Sequence, residues 1–159
     1  MIHRKILVAL DKSKQSEKVL QTALDVATEN VNEIKLFHCI NSNLLVREVS
    51  SIGGIGTIGD INIYGNLHKN YQQELKQEIQ KVSEWSEYYC EQVRMRKIPV
   101  TFTYEIGDPG KKICDFAQSW DADLIVLGSR GHNAIAEIVL GSVSSYVIHH
   151  ACCSVLVAR

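Results

Sequence analysis

Five short segments of the chain carry the hydrophobic pattern of β-strands. Residues 6–10 and 124–127 are apolar at every position, which is typical of strands in a parallel sheet that are covered on both faces. Residues 154–158 form a third, mostly apolar run, and residues 33–40 and 100–106 mix apolar and polar positions. The pattern therefore predicts a sheet of five strands.

The segments between these strands carry apolar residues at helical spacing. Residues 13–30 predict a helix with Ser13 as its N-cap, and a stripe over residues 67–93 predicts the longest helix. A third helix is expected over residues 108–120, because Asp108 suits the N-cap and is followed by proline. The last helix is predicted over about residues 135–149.

Alternation of strands and helices along the whole chain predicts an α/β fold. We expect one domain over residues 1–159, with an open, five-stranded, Rossmann-like parallel sheet and helices on both faces. Residues 41–66 are polar and rich in glycine, and they predict a flexible loop. Ligands of such sheets bind beyond the carboxyl ends of the strands, where the winding direction reverses.

Charge and cysteine content restrict the classes of protein to which the chain can belong. A net charge of −1 provides no electrostatic surface for nucleic acid or an anionic membrane, so we expect neither as a partner. No apolar run approaches the length of a transmembrane helix, and the run behind the basic start is too short for a signal peptide. Five cysteines without C-x-x-C spacing suggest reduced thiols and a cytoplasmic location.

Two glycine patterns compete as sites for a phosphate group. The first pattern follows an apolar strand directly and consists of Gly128-Ser-Arg-Gly131, nine further residues and then Gly141-Ser142. Backbone N–H groups there can surround an anion. The same glycines can also serve only as a tight turn between a strand and a helix. Residues 54–59 match G-x-G-x-x-G literally but lie about a dozen residues beyond their strand, so we interpret them as a surface loop.

The first of these patterns resembles a motif of the universal stress proteins. In that family the pattern G-2x-G-9x-G-[ST] marks the ATP-binding branch, and here it is formed by Gly128, Gly131, Gly141 and Ser142. Other runs of the chain also resemble family landmarks: Lys5-Ile-Leu-Val-Ala-Leu-Asp11, Leu36-Phe-His-Cys-Ile40, Gly107-Asp-Pro109 and Cys153-Ser-Val-Leu-Val157. The resemblance covers nearly the whole chain and implies the adenine nucleotide alpha hydrolase-like fold.

The resemblance also implies a set of nucleotide-binding residues. Asp11 matches the acidic residue that hydrogen-bonds the ribose, and Cys39 stands where the family usually has a valine that holds adenine through its main chain. Arg130 would add a positive charge to the backbone dipoles around the triphosphate. The full set of expected site residues is Ala9, Leu10, Asp11, Cys39, Leu127, Gly128, Arg130, Gly131, Gly141, Ser142, Val143 and Ser144.

The histidines and the acidic residues suggest no catalytic group. We expect His38 to be a packing residue, and His149 and His150 to interact with the end of a helix. Asp11 can help to hold Mg²⁺, but fast ATP hydrolysis requires a residue that positions water as well as a well-held metal. No metal site is expected from the histidine spacing.

We therefore expect a stress-response protein that binds ATP with Mg²⁺, hydrolyses it slowly or not at all, and signals through its bound state to a regulatory partner. The resemblance further implies a homodimer formed through the C-terminal strand. One alternative is an ATP-consuming enzyme of the same broad fold, although the segment after the first strand, Asp11-Lys-Ser-Lys-Gln-Ser16, lacks the glycine-rich loop of such enzymes. Another is an interaction module that prefers AMP or a cyclic nucleotide.

Overall fold

The five predicted strands form one parallel sheet. A computed structural model of the chain describes residues 4–27, 31, 33–41, 60–129 and 140–159, with side chains except over 60–71. The strands run in the spatial order β3-β2-β1-β4-β5, and every neighbouring pair is parallel. Their bounds are β1 (Lys5–Ala9), β2 (Glu33–Asn41), β3 (Val100–Gly107), β4 (Leu124–Gly128) and β5 (Ser154–Ala158). The predicted fold class is confirmed.

Helices cover both faces of this sheet. They are α1 (Ser16–Val26), α2 (Asp60–Met95), α3 (Pro109–Ser119) and α4 (Ser142–His150). The first two helices share one hydrophobic cluster with alternate strand residues such as Ile6 and Val8. The other two share a second cluster with the intervening residues, such as Leu7 and Ile125. Because successive strand residues point to opposite faces, the continuous apolar runs supply both clusters.

The first helix begins later than its sequence predicts. Ser13 is not its N-cap: that position belongs to Gln15, which makes no side-chain cap bond. The Ser13 hydroxyl instead donates to Asp11 Oδ1 (2.5 Å) and accepts from the Gln15 N–H (3.3 Å). The hydroxyl is thus used in the turn that follows β1. The helix ends at Val26, because Ala27 has extended backbone angles.

The two glycine-bearing regions also differ from prediction. Asp60 begins α2, so residues 60–66 are helical rather than part of a loop. An acidic residue is favourable in the first turn of a helix, and a single interior glycine costs only about 1 kcal/mol, which a helix of 36 residues tolerates. The last helix begins at Ser142 rather than near residue 135, because Gly141 is extended (φ −74°, ψ 164°).

His38 is a polar residue buried between the sheet and α2. The residue is 7% exposed, and its ring meets the Trp85 ring edge-on, with 5.4 Å between centroids. The Nδ1 atom lies 2.8 Å from the Leu10 carbonyl oxygen. Since a carbonyl can only accept, Nδ1 carries the proton of the neutral ring. The prediction that His38 packs against the sheet is confirmed, but its hydrogen bond to Leu10 was not predicted.

Burial determines how His38 affects stability at different pH values. The pKa of His38 is lowered from its ordinary 6.5, first because burial disfavours the charged ring, and Lys12 lowers it further. The Leu10 carbonyl, Asp11 and Glu78 act in the opposite direction. As pH falls below 6.5, the unfolded chain therefore takes up a proton that the folded chain refuses.

We accordingly expect the free energy of unfolding to decrease from about pH 7.5 to about pH 5, with a contribution from His38 of at most about 1.4 kcal/mol per pH unit. The variant His38→Asn keeps a donor for Leu10 but does not titrate, so its free energy should decrease less. Urea denaturation at several pH values measures this difference. The exposed His149→Asn is the control, and equal pH profiles for His38→Asn and the unchanged protein would contradict the prediction.

Contact between α3 and α4 is close at Gly110. A Cβ atom at this position would meet Cδ1, Cγ and Cβ of Tyr146 at 2.8, 2.9 and 3.0 Å. These atoms lie near the tyrosine backbone, so the ring cannot move away freely. The two helices can therefore pack this closely only because glycine at position 110 has no side chain.

Helix propensity and packing predict opposite outcomes for Gly110→Ala. Propensity alone would stabilise α3 by up to about 1 kcal/mol. We expect the clash to dominate and to lower the free energy of unfolding by about 1–3 kcal/mol, as measured by urea denaturation. Tyr146→Ala removes the contacts at 2.8 and 2.9 Å and leaves only the Cβ contact at 3.0 Å, so adding Gly110→Ala should cost less stability in that background than in the unchanged protein. A stabilised Gly110→Ala single variant would show that the helices separate at no cost.

Candidate functional site

Several of the expected site residues lie at the carboxyl edge of the three central strands. Ala9 is opposite both Phe37 of β2 and Leu127 of β4. Asp11, Cys39 and Ser129 each lie two residues beyond one of these three positions. Parallel strands bring equivalent positions to the same level, so Asp11 lies between Cys39 and Ser129 at the mouth of the sheet. This is also where the winding reverses, since β2 and β4 lie on opposite sides of β1.

Asp11 is held by the turn that follows β1. Its Oδ1 atom accepts from the Ser13 N–H at 3.0 Å and from the Ser13 hydroxyl at 2.5 Å. Ser16 Oγ lies 3.3 Å from the same oxygen and also donates to the Asp11 backbone carbonyl. Within the described part of the chain, no hydrogen bond reaches Oδ2. The half-buried carboxylate is therefore fixed through one oxygen and can accept from a ligand through the other.

Backbone hydrogen bonds close the junction between β4 and α4. The Gly141 N–H donates to the Ser129 carbonyl at 2.7 Å, and the Ser129 N–H donates to Ala158 of β5 at 2.8 Å. Ser144 Oγ lies 3.1 Å from the Ser129 carbonyl and 3.0 Å from the Gly141 carbonyl, so its single proton is shared between them. Ser129 and Ser144 are 4% and 2% exposed. The first turn of α4 is thereby fixed at the mouth of β4.

The first turn of α4 offers hydrogen-bond donors. Gly141 is its N-cap, and no side chain of the described residues caps the helix. The first helical bond runs from the Ser145 N–H to the Gly141 carbonyl at 2.9 Å, so the N–H groups of Ser142, Val143 and Ser144 precede the helical bonds. Such groups, together with the helix dipole, attract an anion. Of these three residues only Ser142 also exposes its side chain.

Other expected site residues contribute mainly through the backbone. Leu10 and Leu127 are buried in the core, and Val143 packs partly against the cluster around Leu127. The Leu10 N–H donates to the Phe37 carbonyl at 2.9 Å, and the Leu10 carbonyl accepts from His38. Leu10 is therefore a support for Asp11 rather than a side chain that reaches a ligand.

Cys39 is a half-buried thiol at the end of β2. Its Sγ atom lies 3.5 Å from the Gly107 carbonyl, on the neighbouring strand β3. Burial raises the pKa of this thiol to about 11, and the nearby Asp108 carboxylate adds to the effect. Cys39 is thus protonated at neutral pH, and it is suited to packing rather than to nucleophilic chemistry.

Several predictions fall on residues that the structure does not describe. Arg130 and Gly131 of the expected phosphate site lie outside the described residues, as do the glycines of residues 54–59. Within the described ranges, no group of three or more histidine, cysteine, aspartate or glutamate residues is arranged to hold a metal ion. In those ranges, no helix has the length and hydrophobicity required to cross a membrane.

Two lysine–glutamate pairs lie beside this edge. Lys12, next to Asp11, pairs with Glu78 of α2, and both side chains are 31% exposed. Lys112 of α3 pairs with Glu105 of β3 at 2.9 Å. The first pair connects the turn that carries Asp11 to the long helix, a contact that the sequence did not predict because the two residues are 66 positions apart.

Comparison with known proteins identifies the family. A model of the universal stress protein family matches residues 58–159. The chain is 38% identical over 160 residues to universal stress protein Sll1388 of Synechocystis sp., covering all of this chain and 99% of the relative. It is similar to the solved structure of hypothetical protein MJ0577, with a TM-score of 0.77 and 25% identity over 99% of this chain and 96% of that one.

Two further solved structures share the fold and contain adenine nucleotides. One is a universal stress protein from Archaeoglobus fulgidus in complex with dAMP (TM-score 0.60, 23% identity, all of both chains). The other is an Arabidopsis thaliana family protein with AMP bound (TM-score 0.60, 19% identity, 97% of this chain and 90% of that one). The family model and the relative from Synechocystis together show that this chain belongs to the universal stress protein family.

Proposed function

We propose that this chain binds an adenine nucleotide, foremost ATP, at the mouth of β1 and β4 and acts as a nucleotide-dependent regulatory module of the ATP-binding branch. The observation that carries the proposal is the junction at Ser129 and Gly141. It brings the uncapped first turn of α4 to the edge where Asp11 presents a carboxylate oxygen. A donor set for phosphate and an acceptor for ribose hydroxyls thus lie at one edge of the sheet.

The phosphate groups would bind around the first turn of α4. The N–H groups of Ser142, Val143 and Ser144 are the available donors, and an anion there is favoured by the helix dipole. Gly128 lies at the mouth of β4, and Gly131 and Arg130 complete the proposed set from the sequence motif. Arg130 would supply a full positive charge, which backbone dipoles alone do not.

The nucleoside would bind toward β2. Oδ2 of Asp11 can accept from the ribose hydroxyls, because Oδ1 already accepts from Ser13. Adenine would contact the main chain of Cys39. Of the other expected residues at this edge, Ala9 is half-buried, whereas Leu10 and Leu127 are buried and would contribute through their backbone. A main-chain contact does not depend on whether residue 39 is cysteine or valine, so the departure from the family pattern is compatible with adenine.

We propose that ATP is accompanied by Mg²⁺ and is held rather than rapidly hydrolysed. Since Oδ1 of Asp11 is held by Ser13 and Oδ2 is assigned to the ribose, the phosphates would supply the ligands of the ion and Asp11 would assist through its nearby negative charge. The carboxylate of Asp108, at the mouth of β3, accepts from the Lys111 N–H at 3.0 Å as the cap of α3. Both acidic side chains therefore have structural partners, which favours a binding role over that of a general base.

The preferred adenine nucleotide is a separate question. The related proteins with dAMP and AMP bound indicate that the family fold accepts monophosphates. The first turn of α4 and the proposed arginine favour a ligand with several phosphates, and for that reason we place ATP first. Competition among ATP, AMP and cyclic AMP for the purified protein distinguishes these ligands.

The proposal predicts a ligand-dependent rise in melting temperature. ATP with Mg²⁺ at about 100 times its dissociation constant adds roughly 2.7 kcal/mol to stability, or roughly 5–10 °C for a domain of this size. The variant Gly131→Val should lose this rise, because its side chain obstructs the approach of the phosphates to the backbone. Differential scanning fluorimetry with and without ATP measures the effect.

The matched control is Gly54→Val, in the glycine pattern that we interpret as a surface loop. It should keep the full rise, and both variants should keep the fold as judged by circular dichroism. Absence of any rise for the unchanged protein with every adenine nucleotide, together with no nucleotide released on denaturation, would refute the proposed function. A full rise in Gly131→Val would instead mean that the phosphate site lies elsewhere.

We further propose a homodimer formed through β5. This strand is at the edge of the sheet, and its apolar residues Val155, Leu156 and Val157 are all only half-buried. An edge strand of this kind can pair with another chain, and a twofold dimer is the commonest closed arrangement.

Sedimentation should therefore give twice the 17.8 kDa mass of the chain. Val155→Lys introduces a charge at the proposed interface and should shift the protein toward monomer. Met95→Lys makes the same change on α2, at a residue that is 73% exposed and belongs to a helix that packs on β2 and β3, and it should leave the mass unchanged. A monomeric unchanged protein, or a dimeric Val155→Lys, would contradict this interface.

A further inference from the structure

We propose that His38 is a positioning residue for the nucleoside end of the site: its ring ends the β1–β2 hydrogen-bond ladder at Leu10 and so fixes how Asp11 and the main chain of Cys39 face the ligand. This inference rests on the proposed function, because it concerns the residues through which ribose and adenine would be bound. It assigns a role to a side chain that would act through the Leu10 carbonyl rather than by binding the nucleotide.

The first step of the argument is the pattern of hydrogen bonds where β1 ends. The Leu10 N–H donates to the Phe37 carbonyl of β2 at 2.9 Å. In a regular parallel ladder the Leu10 carbonyl would then accept from the N–H of Cys39, two residues beyond Phe37. In the structure the His38 ring donates to that carbonyl instead, with Nδ1 at 2.8 Å from the oxygen. Among the described residues, the Cys39 N–H makes no bond to Leu10.

The second step is what this replacement does to Cys39. Alternate residues of a strand direct their N–H and C=O groups to the same neighbour. The N–H and C=O groups of Phe37 point toward β1. Those of Cys39 point to the same side, at a level that lies beyond the end of β1. Because the Leu10 carbonyl accepts from His38, the Cys39 N–H does not bond to it. The Cys39 N–H therefore points to the place where adenine would bind.

The third step concerns Asp11. The Leu10 carbonyl belongs to the peptide group that joins Leu10 to Asp11. The N–H of that peptide group belongs to Asp11 and lies in the same rigid plane as the carbonyl to which His38 donates. The Asp11 side chain is further restrained by Ser13 through Oδ1. His38 therefore fixes the start of the turn, and Ser13 fixes its carboxylate.

The surroundings of His38 keep its ring in one orientation. Trp85 of α2 meets the ring edge-on at 5.4 Å, and Tyr89 meets Trp85 at 4.9 Å. The charged groups that act on the ring are Lys12, Asp11 and Glu78, and Lys12 and Glu78 form an ion pair between the turn and α2. Aromatic packing thus opposes rotation of the imidazole, so the Nδ1–H of His38 continues to donate to the Leu10 carbonyl.

The test compares two amide side chains that differ in which ring nitrogen they can replace. In His38→Asn the amide nitrogen is at the reach of Nδ1 and can still donate to Leu10, whereas in His38→Gln it is at the reach of Nε2 and cannot. The readout is the ratio of the dissociation constant for 2′,3′-dideoxy-ATP to that for ATP, measured by calorimetry. General destabilisation weakens both nucleotides and leaves this ratio unchanged.

The unchanged protein should prefer ATP over dideoxy-ATP by roughly tenfold or more, since hydrogen bonds to a charged carboxylate are lost with the hydroxyls. His38→Asn should keep this preference, and His38→Gln should reduce it to about threefold or less. His149→Gln is the control, because its Nδ1 also lies on a backbone carbonyl (2.7 Å from Ser145) but at the exposed end of α4. Its ratio should not change.

A full preference in His38→Gln, or an equal loss in His38→Asn, would overturn the inference while leaving ATP binding intact. Failure of the unchanged protein to bind either nucleotide would refute the proposed function and this inference with it. If His38→Gln does not fold, the unchanged protein provides a second measurement by NMR. ATP should then slow solvent exchange of the His38 Nδ1–H more than dideoxy-ATP does, and equal slowing would overturn the inference.

Discussion

Coverage of β1 and β4 on both faces is the constraint on which the rest of the structure depends. Ile6, Leu7 and Val8 are fully buried, as are Ile125 and Val126 of β4. Strands with no solvent-facing side tolerate polar groups only where the strands end, because a buried polar group without a partner costs free energy. The polar residues next to these buried runs therefore lie where the strands end, and beyond the carboxyl ends they are Asp11 and Ser129.

The same constraint explains the dense hydrogen bonding at the mouths. Ser129 follows β4 and is almost fully buried, and its carbonyl accepts from Gly141 and Ser144. Asp11 follows β1 and is satisfied in part by Ser13. In both places short polar side chains satisfy backbone groups that the sheet no longer pairs. Among the described residues, the first N–H groups of α4 and one oxygen of Asp11 have no hydrogen-bond partner, and these are the groups that the proposed nucleotide would use.

The sequence predicted the fold well because hydrophobic patterns report burial directly. The apolar runs gave all five strands within a residue or two, and Asp108 with Pro109 gave the start of α3, including the cap. Helix ends depended on contacts that no local pattern contains. Gly141 is extended and its N–H bonds to Ser129, twelve positions earlier, so α4 begins only at Ser142. Ser13 lies in the turn before α1, where its hydroxyl donates to Asp11 and accepts from the Gln15 N–H.

Prediction of the site was limited in the same way. Residues with a motif, such as Asp11, Gly141 and Ser142, could be named from the sequence, and the structure brings them to one edge. The bond from His38 to Leu10 joins residues 28 positions apart, and the pair of Lys12 with Glu78 joins residues 66 positions apart. The run Leu36-Phe-His-Cys-Ile40 contained a signal, since a histidine within an apolar strand must find a partner when buried, but the partner itself is a tertiary fact.

The bond between Gly141 and Ser129 has a consequence for how the family can diversify. It joins the two ends of the intervening segment through main-chain atoms alone, so the sheet and α4 meet in the same way whatever side chains that segment carries. Relatives that keep the nine-residue spacing of the motif can therefore differ in the side chains of this segment while the junction of β4 with α4 is retained.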